Sequence, residues 1–196
     1  MLSEKKNIIL SAAIDVFARE GFYSTNTSSI ADEADVAVGT IYNYFDSKEA
    51  ILEEIFAREL EQRFKVLKEV RENDDLSTLE KLKKFLQIHF ERVRENPNLG
   101  QVLVREREFP RKKSEAIRGY FYKIPRKIEE MLSEAHDKGE LNVEDPGMAA
   151  SIIFGSIQGI MENALRNEEL SSLDNAPEAL TSLLEEGIMK QKFISS

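Results

Sequence analysis

Residues 27–52 read TSSIADEADVAVGTIYNYFDSKEAIL, and the way this stretch folds decides the rest. Its middle, VGTIYNYF at residues 38–45, places a glycine near a helix start and two tyrosines around Asn43. Successive helical residues turn by about 100°. With Ile41 and Phe45 facing inward, Gly39 and Asn43 face outward, and Thr40, Tyr42 and Tyr44 lie on the flanks. Just before it, Ile30, Ala34 and Val36 supply a small apolar seam, and a turn around residues 35–37 joins the two segments. Two short helices joined by a tight turn have the anatomy of a helix-turn-helix, whose second helix enters the DNA major groove. The outward surface suits that use. Gly39 allows close backbone approach although glycine costs about 1 kcal/mol in a helix, and Asn43 can pair bidentately with adenine. Thr40 and the tyrosine hydroxyls are placed to reach phosphates, and Lys48 brings a cation to the start of the next helix, where backbone N–H groups already favour an anion. The plainer alternative is that the tyrosines are packing residues and the glycine marks a turn.

Outward from this stretch, helical periodicity continues in both directions. KKNIILSAAIDVFAREG at residues 5–21 puts Ile8, Ile9, Ala12, Ala13, Val16 and Phe17 on one face and stops at Gly21. A long helix follows Asp46, with Asp46 and Glu49 in capping-box spacing. Further helical runs are expected at about 76–95, 97–109, 113–138, 146–167 and 176–191, separated by segments rich in Pro, Gly, Asp or Asn. Strand alternation is absent, so the expected fold is all-α with about nine helices. Pro125 falls inside a helical run and predicts a kink.

The composition narrows the function. The chain of 196 residues contains no cysteine, which excludes disulfides and thiolate metal sites. No apolar run approaches the roughly 18 residues of a membrane span, and the N-terminus lacks the pattern of a signal peptide. A cytoplasmic protein without membrane association is expected. Paired acids such as Glu53/Glu54 and Glu129/Glu130 are adjacent on helices and diverge by about 100°, and no nucleophile motif or phosphate loop occurs, so an enzyme is not expected.

Residues 27–52 resemble the signature of the TetR family of one-component bacterial regulators. The resemblance is carried by Thr27, Ile30, Ala31, Ala34, Val36, Gly39, Tyr42, Tyr44, Phe45, Lys48 and Leu52. It implies a three-helix helix-turn-helix DNA-binding domain over 1–48 and a helical ligand-binding and dimerisation domain over 49–196. It implies a homodimer on a palindromic double-stranded DNA operator, acting as a repressor released by a small-molecule effector. Thr27, Val38, Gly39, Thr40, Tyr42, Asn43, Tyr44 and Lys48 are the expected DNA-binding residues. Two positions depart from the family pattern: the usual turn glycine is Asp35, and the usual serine before the third helix is Ala37. The first strains a left-handed turn and the second removes a capping hydroxyl.

The charge balance qualifies this reading. The net charge is −9. Residues 1–50 hold four bases against eight acids, a net −4. Non-specific DNA affinity is therefore expected to be low, with a shallow salt dependence.

In the body, Phe64, Phe85, His89, Phe90, Arg105, Tyr120, Phe121 and Phe154 are the expected ligand-binding residues, although any one of them also reads as ordinary core. With His89 and His136 the only histidines, a zinc site lacks ligands, and neither metal nor resident cofactor is expected. Residues 105–127 carry nine bases against three acids, a net +6. The run reads either as a solvated face or as a site for an anionic headgroup, with Arg105, Arg111, Lys112 and Arg118 as candidates. The layout and the stretch IIFGSIQGIMENAL are similar to the FadR-like, fatty acyl-CoA-responsive branch of the family, which implies an acyl-CoA effector. A multidrug-efflux type of repressor and a helical scaffold without DNA binding are the alternatives. Ile152, Gly155, Ser156, Gly159, Leu180, Leu183 and Leu184 in the last two helices are the expected dimer interface.

Overall fold

A computed structural model describes residues 2–108 and 114–188. The described residues form nine α-helices and one 3₁₀ turn, with no strand: α1 Leu2–Glu20, α2 Thr27–Glu33, α3 Val38–Tyr42, α4 Lys48–Arg71, α5 Thr78–Glu95, α6 Pro97–Arg105, the 3₁₀ turn Glu106–Glu108, α7 Glu115–Asp137, α8 Pro146–Arg166 and α9 Ser172–Ile188.

Short polar side chains start most of these helices. Asn26 accepts the Ser29 N–H at 2.9 Å ahead of α2, Asn96 accepts Leu99 N–H at 2.9 Å ahead of α6, and Asp145 accepts Met148 N–H at 2.8 Å ahead of α8. Pro97 and Pro146 occupy the first helical position, where the missing N–H costs nothing. The capping box expected at Asp46 is displaced by one residue. Ser47 caps α4 instead, its hydroxyl accepting the Ala50 N–H at 3.1 Å. A full reciprocal box lies at α5, where Ser77 Oγ accepts Glu80 N–H at 3.4 Å and Glu80 Oε2 accepts Ser77 N–H at 2.8 Å. Hydrogen bonds from the Ser77 hydroxyl first, and then from its N–H, hold the Glu80 carboxyl below its ordinary range.

Contacts divide the chain into two compact units. The first comprises Met1–Leu60 and Asn96–Tyr120. Ile9, Ala12, Ala13, Val16 and Phe17 of α1 are buried, as are Ile30, Ala31, Ile41, Phe45, Ile51, Leu52 and Phe56, while Ile8, expected on the same face, is exposed. Burying each large aliphatic or aromatic side chain contributes about 1.5–3 kcal/mol. Helix α6 packs along α1 within this unit, and Asn98 donates to Asp15 at 2.7 Å. The unit is thus larger than a 48-residue head, because α6 belongs with α1. Glu54 is also fixed here. Burial raises its carboxyl, but hydrogen bonds from Lys6 and Arg58 outweigh that and hold it below the usual value.

The second unit comprises Glu61–Glu95 and Phe121–Ser196. Here α5 and α8 both pack on α9. The core contains Leu82, Phe85, Leu86, Phe90 and Val93 of α5 with Ile124, Ile128, Leu132, Ile153, Ile157 and Met161. Helix α7 runs through Pro125 without interruption. The proline has no N–H to give to the helix ladder.

Candidate functional site

The helix-turn-helix is closed by backbone bonds. Val36 N–H reaches the Ala31 carbonyl at 3.0 Å and Asp35 N–H the Asp32 carbonyl at 3.3 Å. Asp35 stands at φ 50°, in the left-handed region that disfavours a residue with a Cβ. Ala37 gives α3 no side-chain cap. Ile41 and Phe45 point inward, at 1% and 5% exposure. Gly39, Tyr42 and Asn43 are exposed, and Thr27, Val38, Thr40 and Tyr44 are half-buried. The Tyr42 hydroxyl lies 3.2 Å from Thr27 Oγ1, bringing the start of α2 to the end of α3. A Cβ added at Gly39 would meet nothing within 4 Å. The glycine therefore answers no packing need within the chain.

Lys48 is placed differently from the other expected DNA-binding residues. Its ammonium donates to the carbonyls of Phe22 at 2.7 Å and Thr25 at 2.5 Å. It also lies over the Phe22 ring, 4.4 Å from the centroid. Glu106 accepts the Phe22 N–H at 3.0 Å. The loop between α1 and α2, which leads into the helix-turn-helix, is gripped by both side chains. Nothing in the spacing of the sequence links Glu106 to Phe22, and the contact was not legible there.

Of the residues expected at the ligand, Arg105 and Tyr120 lie in the first unit. Arg105 is exposed at the end of α1, donating to the Ala18 carbonyl at 3.3 Å and covering Gly21. Tyr120 is buried edge-on against Phe56, with ring centroids 5.6 Å apart. The second unit holds Phe64, Phe85, His89, Phe90, Phe121 and Phe154. Phe121 and Phe154 meet edge-to-face at 6.2 Å. Arg118 is exposed, and Arg111 and Lys112 lie outside the described residues.

The second unit contains a cavity of about 540 Å³ between α4, α5 and α7. Phe64, Leu67, Met131 and Ala135 give it an apolar lining, while Lys68, Arg71, Lys81, Lys127 and Lys138 bring five cations and Glu72, Asp74, Glu134 and Glu140 four acids. Among the described residues, only Lys127 of the basic run singled out in the sequence lines it. Some of these charges are neutralised: Arg71 pairs with Glu134, and Lys127 pairs with Glu130 at 2.7 Å. That Lys127 hydrogen bond, ahead of burial in importance, holds the Glu130 carboxyl below its ordinary range.

Deeper in the same unit, His89 is 3% exposed between Phe85 and Phe90, with ring centroids at 5.9 and 5.5 Å. Burial first, and then the charges of Arg63 and Arg92, push its imidazole well below the ordinary value, so the ring is neutral. Its Nε2 lies 3.2 Å from Met161 Sδ. Gln158, one turn earlier on α8, is 8% exposed. Sequence reasoning missed Gln158, although a lone amide within the apolar run IIFGSIQGIM was the available signal. Among the described residues no group of His, Asp and Glu is arranged to hold a metal ion, and no helix is long and apolar enough to cross a membrane.

Comparison with known proteins matches this geometry on both units. The family described as bacterial regulatory proteins, tetR family, matches residues 9–55, and the tetracyclin repressor-like C-terminal domain matches residues 75–162. The fatty acid metabolism regulator protein of Bacillus subtilis is 30% identical over 187 residues, which span 92% of this chain and 93% of that protein. The crystal structure of the transcriptional regulator FadR from Bacillus subtilis in complex with stearoyl-CoA superposes with a TM-score of 0.80 at 28% identity, covering 92% of this chain and 98% of that one. The fatty acid degradation regulator FadR from Bacillus halodurans gives 0.79 at 28% identity, over 93% and 95% of the two chains. The chain is a DNA-binding transcriptional regulator and belongs to the TetR family.

Proposed function

We propose that this regulator is a homodimeric repressor that leaves a palindromic operator when a long-chain acyl-CoA enters its second unit. The cavity carries this reading. An apolar lining takes an alkyl chain, at about 0.8 kcal/mol per buried CH₂, and lysines beside it suit phosphates. Its volume falls within the ~300–1,000 Å³ usual for small-molecule sites. The stearoyl-CoA bound by the FadR of Bacillus subtilis supports the same ligand class.

On the DNA side, Gly39 and Asn43 lie against bases, and Thr27, Val38, Thr40, Tyr42, Tyr44 and Lys48 meet the walls of the groove and its phosphates. Two copies pair through α8 and α9. Met148, Ile152, Gly155 and Gly159 are spaced by four, three and four residues, the spacing of a helix–helix seam. Met148 and Ile152 are 59% and 54% exposed, and Leu183 on α9 is 71% exposed. A Cβ at Gly155 or Gly159 would meet nothing within 4 Å. Ser156 flanks this seam, whereas Leu180 and Leu184 are buried in the chain's own core. The effector favours a dimer whose recognition helices no longer match one DNA turn, and by linkage DNA then weakens effector binding by the same factor.

The four acids around the cavity favour a second reading, a cationic drug or dye as effector. Titrating the protein–operator complex with acyl-CoAs of graded length, free fatty acids and cationic dyes separates the two. Acyl-CoAs release DNA on the first reading, and Lys81→Ala with Lys138→Ala weakens their effect. Release by dyes alone overturns it.

A further inference from the structure

Gln158 and His89 leave polar atoms in the core of the second unit that no side chain there answers. Both the Nε2 and the Oε1 of Gln158 lack a hydrogen-bond partner, as does Nδ1 of His89. Such atoms are costly inside a protein, because each has lost its water without replacement. The tautomer of His89 follows from its neighbour. A thioether sulfur can only accept, so the Nε2 facing Met161 Sδ at 3.2 Å carries the proton. Nδ1 is therefore a bare lone pair. Gln158 precedes Met161 by three residues on α8, and residues at that spacing share a face with Cβ atoms about 5–6 Å apart. Gln158 thus shares a face of α8 with Met161, the residue His89 meets, and between them the two side chains hold two acceptors and an N–H donor without partners.

We propose that Gln158 and His89 form a polar selectivity subsite for a hydroxyl group on the effector's chain. It rests on the reading that the second unit holds the effector. A hydroxyl both donates and accepts: its proton goes to His89 Nδ1 or Gln158 Oε1, and its oxygen accepts from Gln158 Nε2. An unsubstituted alkyl chain answers none of these atoms. A carboxylate has no proton to give to the Nδ1 lone pair. Neither residue lines the cavity described above, and the subsite requires the chain to pass beyond that lining. Arg63, whose charge acts on His89, is the chain neighbour of Phe64 in that lining.

The test compares a long-chain acyl-CoA hydroxylated at mid-chain with the unsubstituted acyl-CoA of equal length, by calorimetry, on the full chain and on Gln158→Met. It also compares the thermal midpoints of the two ligand-free proteins. The wild type is expected to bind the hydroxylated ligand at least tenfold tighter. Gln158→Met removes the preference, binds the unsubstituted ligand at least as well, and melts about 2–4 °C higher because a buried unanswered amide has gone. Equal wild-type affinities for the two ligands overturn the subsite and leave the acyl-CoA reading standing. A variant that melts at the same temperature or lower also overturns it, since the amide is then satisfied within the protein. If neither CoA ester binds, the acyl-CoA reading falls. The subsite then stands if a free mid-chain hydroxy fatty acid outbinds its unsubstituted partner and Gln158→Met erases the difference, and it falls otherwise.

Discussion

Lys48 holds Phe22 from two sides of the same residue: its ammonium is 2.7 Å from the Phe22 carbonyl oxygen and 4.4 Å from the centre of the ring. The Phe22 N–H is taken by Glu106 at 3.0 Å. A lysine that resembles a phosphate contact in sequence thus also clamps the loop ahead of the helix-turn-helix. Hydrogen bonds to charged groups contribute about 1.5–3 kcal/mol each, and Lys48 is half-buried, so the lower end applies. Lys48→Met keeps the stem and removes the bonds. It is expected to lower stability by about 1–2 kcal/mol in denaturant titration and to weaken all DNA sequences alike. Unchanged stability would show that the clamp contributes nothing.

Asp35 is the one residue of the turn with a left-handed backbone, at φ 50°. Glycine adopts that conformation without the Cβ clash. Asp35→Gly is expected to raise stability by up to about 1 kcal/mol, or about 2–4 °C in melting temperature. A lower melting temperature would mean that the aspartate side chain stabilises the turn by more than its backbone costs.

Gly39 separates fold from function. Its added Cβ meets open space, and alanine favours a helix over glycine by about 1 kcal/mol. Gly39→Ala should therefore fold at least as well as wild type yet bind operator more weakly, because in the proposed complex the methyl stands where the backbone approaches bases. Asn43→Ala should lose about 1–3 kcal/mol of operator binding and relax specificity at one position. If both variants bind the operator like wild type, α3 does not face the bases.

His89 makes stability depend on pH with a definite sign. Its folded-state imidazole lies well below the ordinary 6.5, through burial first and then Arg63 and Arg92. The unfolded chain binds the proton more readily, so stability is full above 6.5 and falls as pH drops below it. The slope is about 1.4 kcal/mol per pH unit for one proton. His89→Gln should flatten the melting-temperature profile between pH 7 and pH 5. A variant as steep as wild type would place the acid sensitivity elsewhere.

The helix-turn-helix was legible in the sequence because it is local. Ile30, Ala34, Ile41 and Phe45 lie within one short stretch, and periodicity alone turns them inward. The missing cap at Ala37 was visible for the same reason. The start of α4 was misread by one residue, since Asp46 and Ser47 are both good caps and only the Ser47–Ala50 bond distinguishes them. The cavity was not legible, because its cations come from separate helices, with Lys68 on α4, Lys81 on α5 and Lys127 on α7. The basic run at 105–127 drew attention by being continuous, but its Arg105 caps α1 and, among its described residues, only Lys127 reaches the cavity.

Selection of genomic DNA by the purified protein, with and without a long-chain acyl-CoA, tests the central claim most directly. The fragments retained without ligand should share an inverted repeat whose half-sites are one helical turn apart, about 10–10.5 base pairs, or a multiple of it. They should be lost when the acyl-CoA is added. Fragments that share no sequence, or a shared repeat whose retention the acyl-CoA leaves unchanged, would contradict an operator-specific regulator released by that effector.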